Sequence, residues 1–204
     1  MRIMIRLLLA EDQSMVREAL AALLGLEPDL EVVAQAARGD EVAAAARAHA
    51  VDVALLDIEM PGLTGIEAAA VLRRELPAVK IVILTTFGRP GYLRSAMEAG
   101  ADAFLVKDAP AAQLAAAVRT VLTGERVIDP TLAAAALAEG ANPLTDRERD
   151  VLRAAQDGAT NAELATVLRL SQGTVRNYLS MAIQKLAARN RAEAVRIARE
   201  KGWL

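Results

Sequence analysis

Glu11, Asp12, Asp57, Thr85 and Lys107 supply three carboxylates, a hydroxyl and an ammonium, and each stands at the end of a short apolar run. The runs cover residues 3–10, 53–56, 80–84 and 103–106. Three crowded carboxylates repel one another unless a cation joins them. Oxygen ligands suit a hard ion, and Mg2+ takes one or two carboxylates and completes its octahedron with water and phosphate oxygens. The chain has no cysteine and one histidine, so a zinc centre is not expected. A carboxylate beside Mg2+ can attack phosphorus and become an aspartyl phosphate. A lysine and a threonine hydroxyl would then hold the phosphoryl oxygens. Asp57 is the candidate nucleophile, because it ends its run and Pro61-Gly62 follows as a strand-stopping turn. Gly62 and Gly65 permit unusual backbone angles. His49, near the end of an alanine-rich helix, is assigned no role.

The elements that must bring these residues together are legible in the periodicity. Each run is continuously apolar, the pattern of a parallel strand covered on both faces. Ligands of open α/β sheets bind beyond the carboxyl ends of such strands, so the five residues are expected to converge at one edge. Residues 31–36 read as a further strand. Val16, Ala19, Leu20 and Leu23 form a helical stripe within 13–24. Helices are expected over 40–48, 65–75 and 90–99, and a last one carries Leu114, Val118, Val121 and Leu122 and closes at Gly124. The alternation predicts an α/β domain over 1–124, a doubly wound five-stranded parallel sheet of flavodoxin-like type. Residues 125–142 contain Pro130, an alanine-rich stretch and Gly140, and read as a linker with a short helix over 131–139.

Residues 143–204 show no strand pattern and predict a small all-α domain. Thr145-x-x-Glu148 and Thr160-x-x-Glu163 read as capping boxes, and Ser171 as the N-cap of a third helix. A fourth helix is expected over 192–201. Compact helices joined by short turns match a helix-turn-helix. This part carries 11 basic and 7 acidic residues, a net of +4, against −6 for the remainder, so an anionic partner is expected for it alone. On the third helix Val175, Leu179, Ile183 and Leu186 share one face. Asn177, Ser180, Met181 and Gln184 lie on the other, flanked by Arg176 and Lys185. No acid occurs from Ser171 to Arg191. Short polar and basic side chains on an outward face suit a helix in the major groove, where Asn pairs with adenine and Arg with guanine.

Glu11-Asp12, the run Asp57-x-x-Met60-Pro61-Gly62-x-x-Gly65, Thr85 and Lys107 together resemble the receiver domain of two-component response regulators, over about residues 2–124. The resemblance implies that Glu11 and Asp12 hold Mg2+, that Asp57 accepts the phosphoryl group, and that the backbone carbonyl of Glu59 completes the metal shell. It also implies Thr85 as the switch hydroxyl, Lys107 as the phosphate-binding lysine and Phe104 as the aromatic switch residue. Asp108 follows the lysine where the family often has proline. Leu144-Thr145-x-Arg147-Glu148, Asn161-x-Glu163-Leu164-Ala165 and Leu170-Ser171-x-Gly173-Thr174-Val175-Arg176-Asn177-Tyr178 resemble the LuxR-type helix-turn-helix. The whole chain is similar to the NarL/FixJ family and, in residues 176–180 and 183–186, looks like its DesR-type branch.

That likeness implies Arg176, Asn177 and Ser180 at base-reading positions. Gln184 shares their face, and Thr174, Lys185 and Arg189 are candidates for phosphate contacts. It further implies a histidine kinase as phosphodonor, promoter DNA as target, homodimerisation on activation, RNA polymerase as a candidate partner, and a cytoplasmic location. A regulator is expected rather than an enzyme. A Mg2+-dependent phosphohydrolase is the rival class, since Asp57-x-Glu59 loosely resembles its Asp-x-Asp pair, but that pair belongs on an early strand and has Asp at its second position. Phosphorylation-independent DNA binding is the third reading. No apolar run is long enough to span a membrane, and no cleavable signal pattern is expected at the N-terminus.

Overall fold

A computed structural model describes residues 4–86, 90–139 and 142–204. Ile3, expected in the first strand, and Gly140, expected in the linker, lie outside the described residues. The chain groups into two compact units, Met1–Gly88 with Leu93–Ala134 and Arg89–Tyr92 with Ala135–Leu204.

The first unit alternates strand and helix: β1 (Ile5–Ala10), α1 (Ser14–Leu24), β2 (Leu30–Ala36), α2 (Val42–Ala48), β3 (Val53–Asp57), α3 (Gly65–Glu75), β4 (Lys80–Thr85), α4 (Pro90–Glu98), β5 (Ala103–Val106), α5 (Ala111–Leu122) and β6 (Val127–Ile128). A 3-10 turn, Gly39–Glu41, precedes α2 where one continuous helix was expected from residue 40. The strands form one parallel sheet in the order β2-β1-β3-β4-β5-β6. The expected doubly wound fold is present, but with six strands instead of five. The sixth falls in the stretch read as linker, where Val127 and Ile128 pair with Ala103 and Phe104 of β5. Two residues are too short to show a period, and only the exposed edge of β5 makes them a strand.

The centre of the sheet is dry. Val53, Ala54, Leu55 and Leu56 of β3 and Ile81, Val82 and Ile83 of β4 are fully buried. Each large aliphatic side chain among them contributes about 1.5–3 kcal/mol by burial. Helix α1 is turned from its expected orientation. Leu24 is its buried residue, Leu20 and Ala21 pack partly against the core, and Ala19 and Leu23 face outward.

The second unit holds α7 (Asp146–Ala154), α8 (Asn161–Leu168), α9 (Gln172–Lys185) and α10 (Arg191–Glu200), preceded by α6 (Pro130–Glu139), which runs across the division between the units. Both expected capping boxes are complete: Thr145 with Glu148, and Thr160 with Glu163. Ser171 accepts a hydrogen bond from the Thr174 N–H and caps α9. The α8–α9 turn is made by Arg169 in the left-handed region, φ 54°. Val151, Leu152, Leu164, Val175, Leu179 and Trp203 lie in a core that this unit builds for itself. On α9, Ala182 takes the fully buried place expected of Ile183, which is only partly covered.

Candidate functional site

Strand register assembles the first site. Ala10 lies opposite Leu56, so Glu11 stands beside Asp57. Asp57 lies opposite Leu84, and Thr85 opposite Val106, so Thr85 and Lys107 follow one step further along the same edge. The Lys107 N–H donates to the Thr85 carbonyl at 2.8 Å, which ties those two strand ends together.

The side chains meet in a buried pocket. Glu11, Asp57 and Thr85 are 1%, 5% and 4% exposed, while Asp12 is open to solvent. Carboxylate oxygens of Glu11, Asp12 and Asp57 lie within 4.8 Å of one another. The Lys107 ammonium is 2.5 Å from Glu11 Oε2 and 2.9 Å from Asp57 Oδ1. The Ile58 N–H donates to Asp57 Oδ1 at 2.8 Å and orients that carboxylate. Burial pushes the Asp57 carboxyl above its ordinary value, against the opposing pull of Lys107. Burial works against the Lys107 charge, but hydrogen bonds to Glu11 and Asp57 outweigh it and raise the ammonium. Three carboxylates against one ammonium leave a formal charge of −2 in a set of oxygen donors, which fits one hard divalent cation.

The loop after β3 is held by close backbone approaches. Gly62 takes the left-handed region at φ 80°. Gly65 does not. It is needed because a Cβ there would lie 1.9 Å from the Asp57 carbonyl oxygen. The Gly65 N–H donates to the Ile58 carbonyl at 3.0 Å, and Thr64 with Glu67 forms a third capping box at the start of α3. The pattern Thr64-x-x-Glu67 was the signal that could have found it. Glu59 is exposed in this loop, Phe104 is fully buried on β5, and Thr86 is exposed where Thr85 is buried.

The second site is the outward face of α9. Arg176, Asn177, Ser180, Met181 and Gln184 are all exposed, opposite buried Val175, Leu179 and Ala182. The three candidates for phosphate contacts are placed differently from one another. Thr174 has its hydroxyl 2.8 Å from Ser171 Oγ at the helix start. Arg189 is 85% exposed and makes a two-pronged pair with Glu193. Lys185 is engaged inward: its ammonium donates to Glu148 Oε2 at 2.8 Å, and Glu148 is 1% exposed. Nothing in the sequence signalled this partner of Lys185.

Residues 7–119 match the response regulator receiver domain, and residues 142–198 match the bacterial regulatory proteins of the luxR family. The chain belongs to the response regulators of NarL/FixJ type. This response regulator is 46% identical over 200 residues to the transcriptional regulatory protein DesR of Bacillus subtilis (strain 168), covering 98% of this chain and 99% of DesR. It is 47% identical over 201 residues to the uncharacterized transcriptional regulatory protein YvfU of the same organism, covering 98% and 100%. Among solved structures it is similar to the response regulator ChrA of a heme-sensing two-component system, at 32% identity and TM-score 0.60, covering 98% of this chain and 99% of that one. The response regulator is therefore a two-component transcription regulator with a LuxR-type DNA-binding domain, of a family that is not enzymatic. None of its described helices is long and apolar enough to cross a membrane.

Proposed function

We propose that this response regulator works in the cytoplasm as a phosphorylation-controlled promoter-binding protein. Its receiver domain is assigned to 1–124 and its DNA-binding domain to 143–204, and the linker between them gives the sheet its sixth strand. One Asp57 carboxylate oxygen attacks the phosphorus of a kinase phosphohistidine, the P–N bond breaks, and the phosphoryl group stays on Asp57. The observation that carries this reading is the buried Asp57 carboxylate, oriented by the Ile58 N–H and touched by Lys107. Glu11, Asp12 and Asp57, with the Glu59 carbonyl, would hold Mg2+, which when bound neutralises charge on the phosphoryl oxygens. Lys107 exchanges carboxylate for phosphoryl oxygens, and Thr85 donates its hydroxyl to them.

Thr85 and Phe104 carry the change into the last strand and its helices. The phosphoryl group must favour the active state by differential contacts, and a hundredfold activation needs about 2.7 kcal/mol of such preference. The activated form is a homodimer whose two α9 helices read promoter half-sites about one helical turn apart, with RNA polymerase as a further partner. Arg176, Asn177, Ser180 and Gln184 face the bases, and Thr174 and Arg189 face the phosphates.

The test is Asp57→Asn. It should fold, fail to take phosphate from acetyl phosphate with Mg2+, and bind promoter DNA without response to beryllofluoride. Phosphate transfer in that variant would remove Asp57 as the nucleophile. Wild-type binding that ignores beryllofluoride would leave a phosphorylation-independent regulator, and catalytic turnover of phosphate esters would make the protein an enzyme.

A further inference from the structure

Four polar or charged residues are buried among the described residues, and three of them, Glu11, Asp57 and Thr85, belong to the phosphoacceptor pocket. The fourth is Glu148, 1% exposed, in the other unit. Its place in a capping box does not account for this burial. The capping-box glutamates Glu67 and Glu163 do the same work half-buried and exposed, respectively. Glu148 also has a partner on a distant helix. Its Oε2 accepts from the Thr145 backbone N–H at 2.7 Å and from the Lys185 ammonium at 2.8 Å. One oxygen thus joins the first turn of α7 to the last residue of α9. Burial works against the charge of this carboxyl, but the bonds from Lys185 and Thr145 together outweigh it and hold the group below its ordinary range.

We propose that Glu148 is a positioning residue for DNA reading, which withdraws Lys185 from the DNA backbone and uses it to fix the rotation of α9. This rests on the reading that α9 faces the bases. A rotation of ~20° about the helix axis would move side-chain tips at a radius of ~5–6 Å by ~2 Å, enough to break a base-edge hydrogen bond. The apolar face of α9 is anchored by Val175, Leu179 and Ala182. The Lys185–Glu148 pair resists such rotation, since turning α9 away would take the ammonium from a carboxylate that is 1% exposed. Arg189 makes the contrast. Its guanidinium is paired with Glu193 but stays 85% exposed, where the Lys185 ammonium is turned to a buried carboxylate.

The test measures binding of the full chain to two duplexes over a range of salt: the duplex selected from a random pool, and a scrambled one. Lys185→Met is compared with Glu148→Gln, which keeps an acceptor for the cap but removes the charge. Measurements are made at a temperature where each variant is folded by circular dichroism. Positioning predicts that Lys185→Met weakens the selected duplex tenfold or more, changes the scrambled one less than twofold, and leaves the salt slope for the selected duplex unchanged. Glu148→Gln should show the same loss of discrimination, and the double variant should be no worse than either alone. A phosphate contact predicts instead that Lys185→Met lowers the slope of log K against log salt by about 0.9 and weakens both duplexes together. That result, or wild-type discrimination in Glu148→Gln, overturns the proposal. Arg176→Ala tests the underlying reading separately: if it binds the selected duplex as tightly as the wild type, α9 is not the reading helix.

Discussion

Gly65→Ala places a methyl group against the end of the strand that carries Asp57. In a helix interior alanine is better than glycine by about 0.5–1 kcal/mol, which is an upper bound at this first position. Here the new Cβ would lie 1.9 Å from the Asp57 carbonyl oxygen and 2.8 Å from its carbonyl carbon, where ordinary contact begins at 3.4 Å. Both neighbours are backbone, so no side chain can swing aside, and α3 and β3 must part by about 1.5 Å. Overpacking of this kind costs about 1–3 kcal/mol, and the severity of the overlap puts it in the upper half. The net expectation is a loss of about 1–2.5 kcal/mol in a urea titration of the receiver unit. The displaced strand end also carries the Asp57 carboxylate away from Lys107 and the Ile58 N–H. A 1 Å error in such a constellation costs about a hundredfold in rate. Phosphorylation by acetyl phosphate with Mg2+, followed by mass spectrometry, should therefore slow by at least tenfold. Gly173→Ala is the control: its Cβ would meet only Ser171 Oγ at 3.7 Å, so the same substitution should be neutral or stabilising there. Wild-type phosphorylation in Gly65→Ala, or a stability gain matching that of Gly173→Ala, would refute the reasoning.

The second unit should lose stability in acid. Arg189 holds Glu193 down to about 2, and Glu148 is also lowered, so their contribution is full above the unfolded glutamate value of about 4.3 and is lost as pH falls through the folded values. Trp203 is the sole tryptophan and sits in this unit's core, so its fluorescence in urea at pH 6 and pH 3 reads the effect directly; an unchanged midpoint would contradict it. Arg176→Ala should weaken binding to the selected duplex by about 1–3 kcal/mol and relax preference at one base position, as measured by gel shift against single-base variants.

Much of the first site was readable because its chemistry lies at strand ends. A continuous apolar run announces a buried parallel strand, and the residue after it must emerge at the sheet edge. Glu11, Asp57, Thr85 and Lys107 are each found that way. The capping boxes at Thr145 and Thr160 were equally legible, since a cap is satisfied within four residues of chain. Features that depend on a distant element were not. The Val127–Ile128 strand exists because β5 offers an open edge. The inward face of α1 is set by how it lies on the sheet, and the expected stripe was displaced toward Leu23, which is 44% exposed.

The sequence by itself determined most of the elements, the order of the strands' chemistry and the family, because these depend on local period, capping and residue type. It also assigned three neighbouring cations of the second domain, Lys185, Arg189 and Arg176, to the same polyanion. Only the tertiary structure separated them. Arg176 is exposed on the outward face of α9, Arg189 is paired with Glu193 at the surface, and the Lys185 ammonium reaches the buried carboxylate of Glu148. The physical reason is that a charge's availability depends on what is packed against it. Similarly, Gly65 looked like a residue of unusual backbone angle, and it proved to be the space in which the Asp57 carbonyl sits.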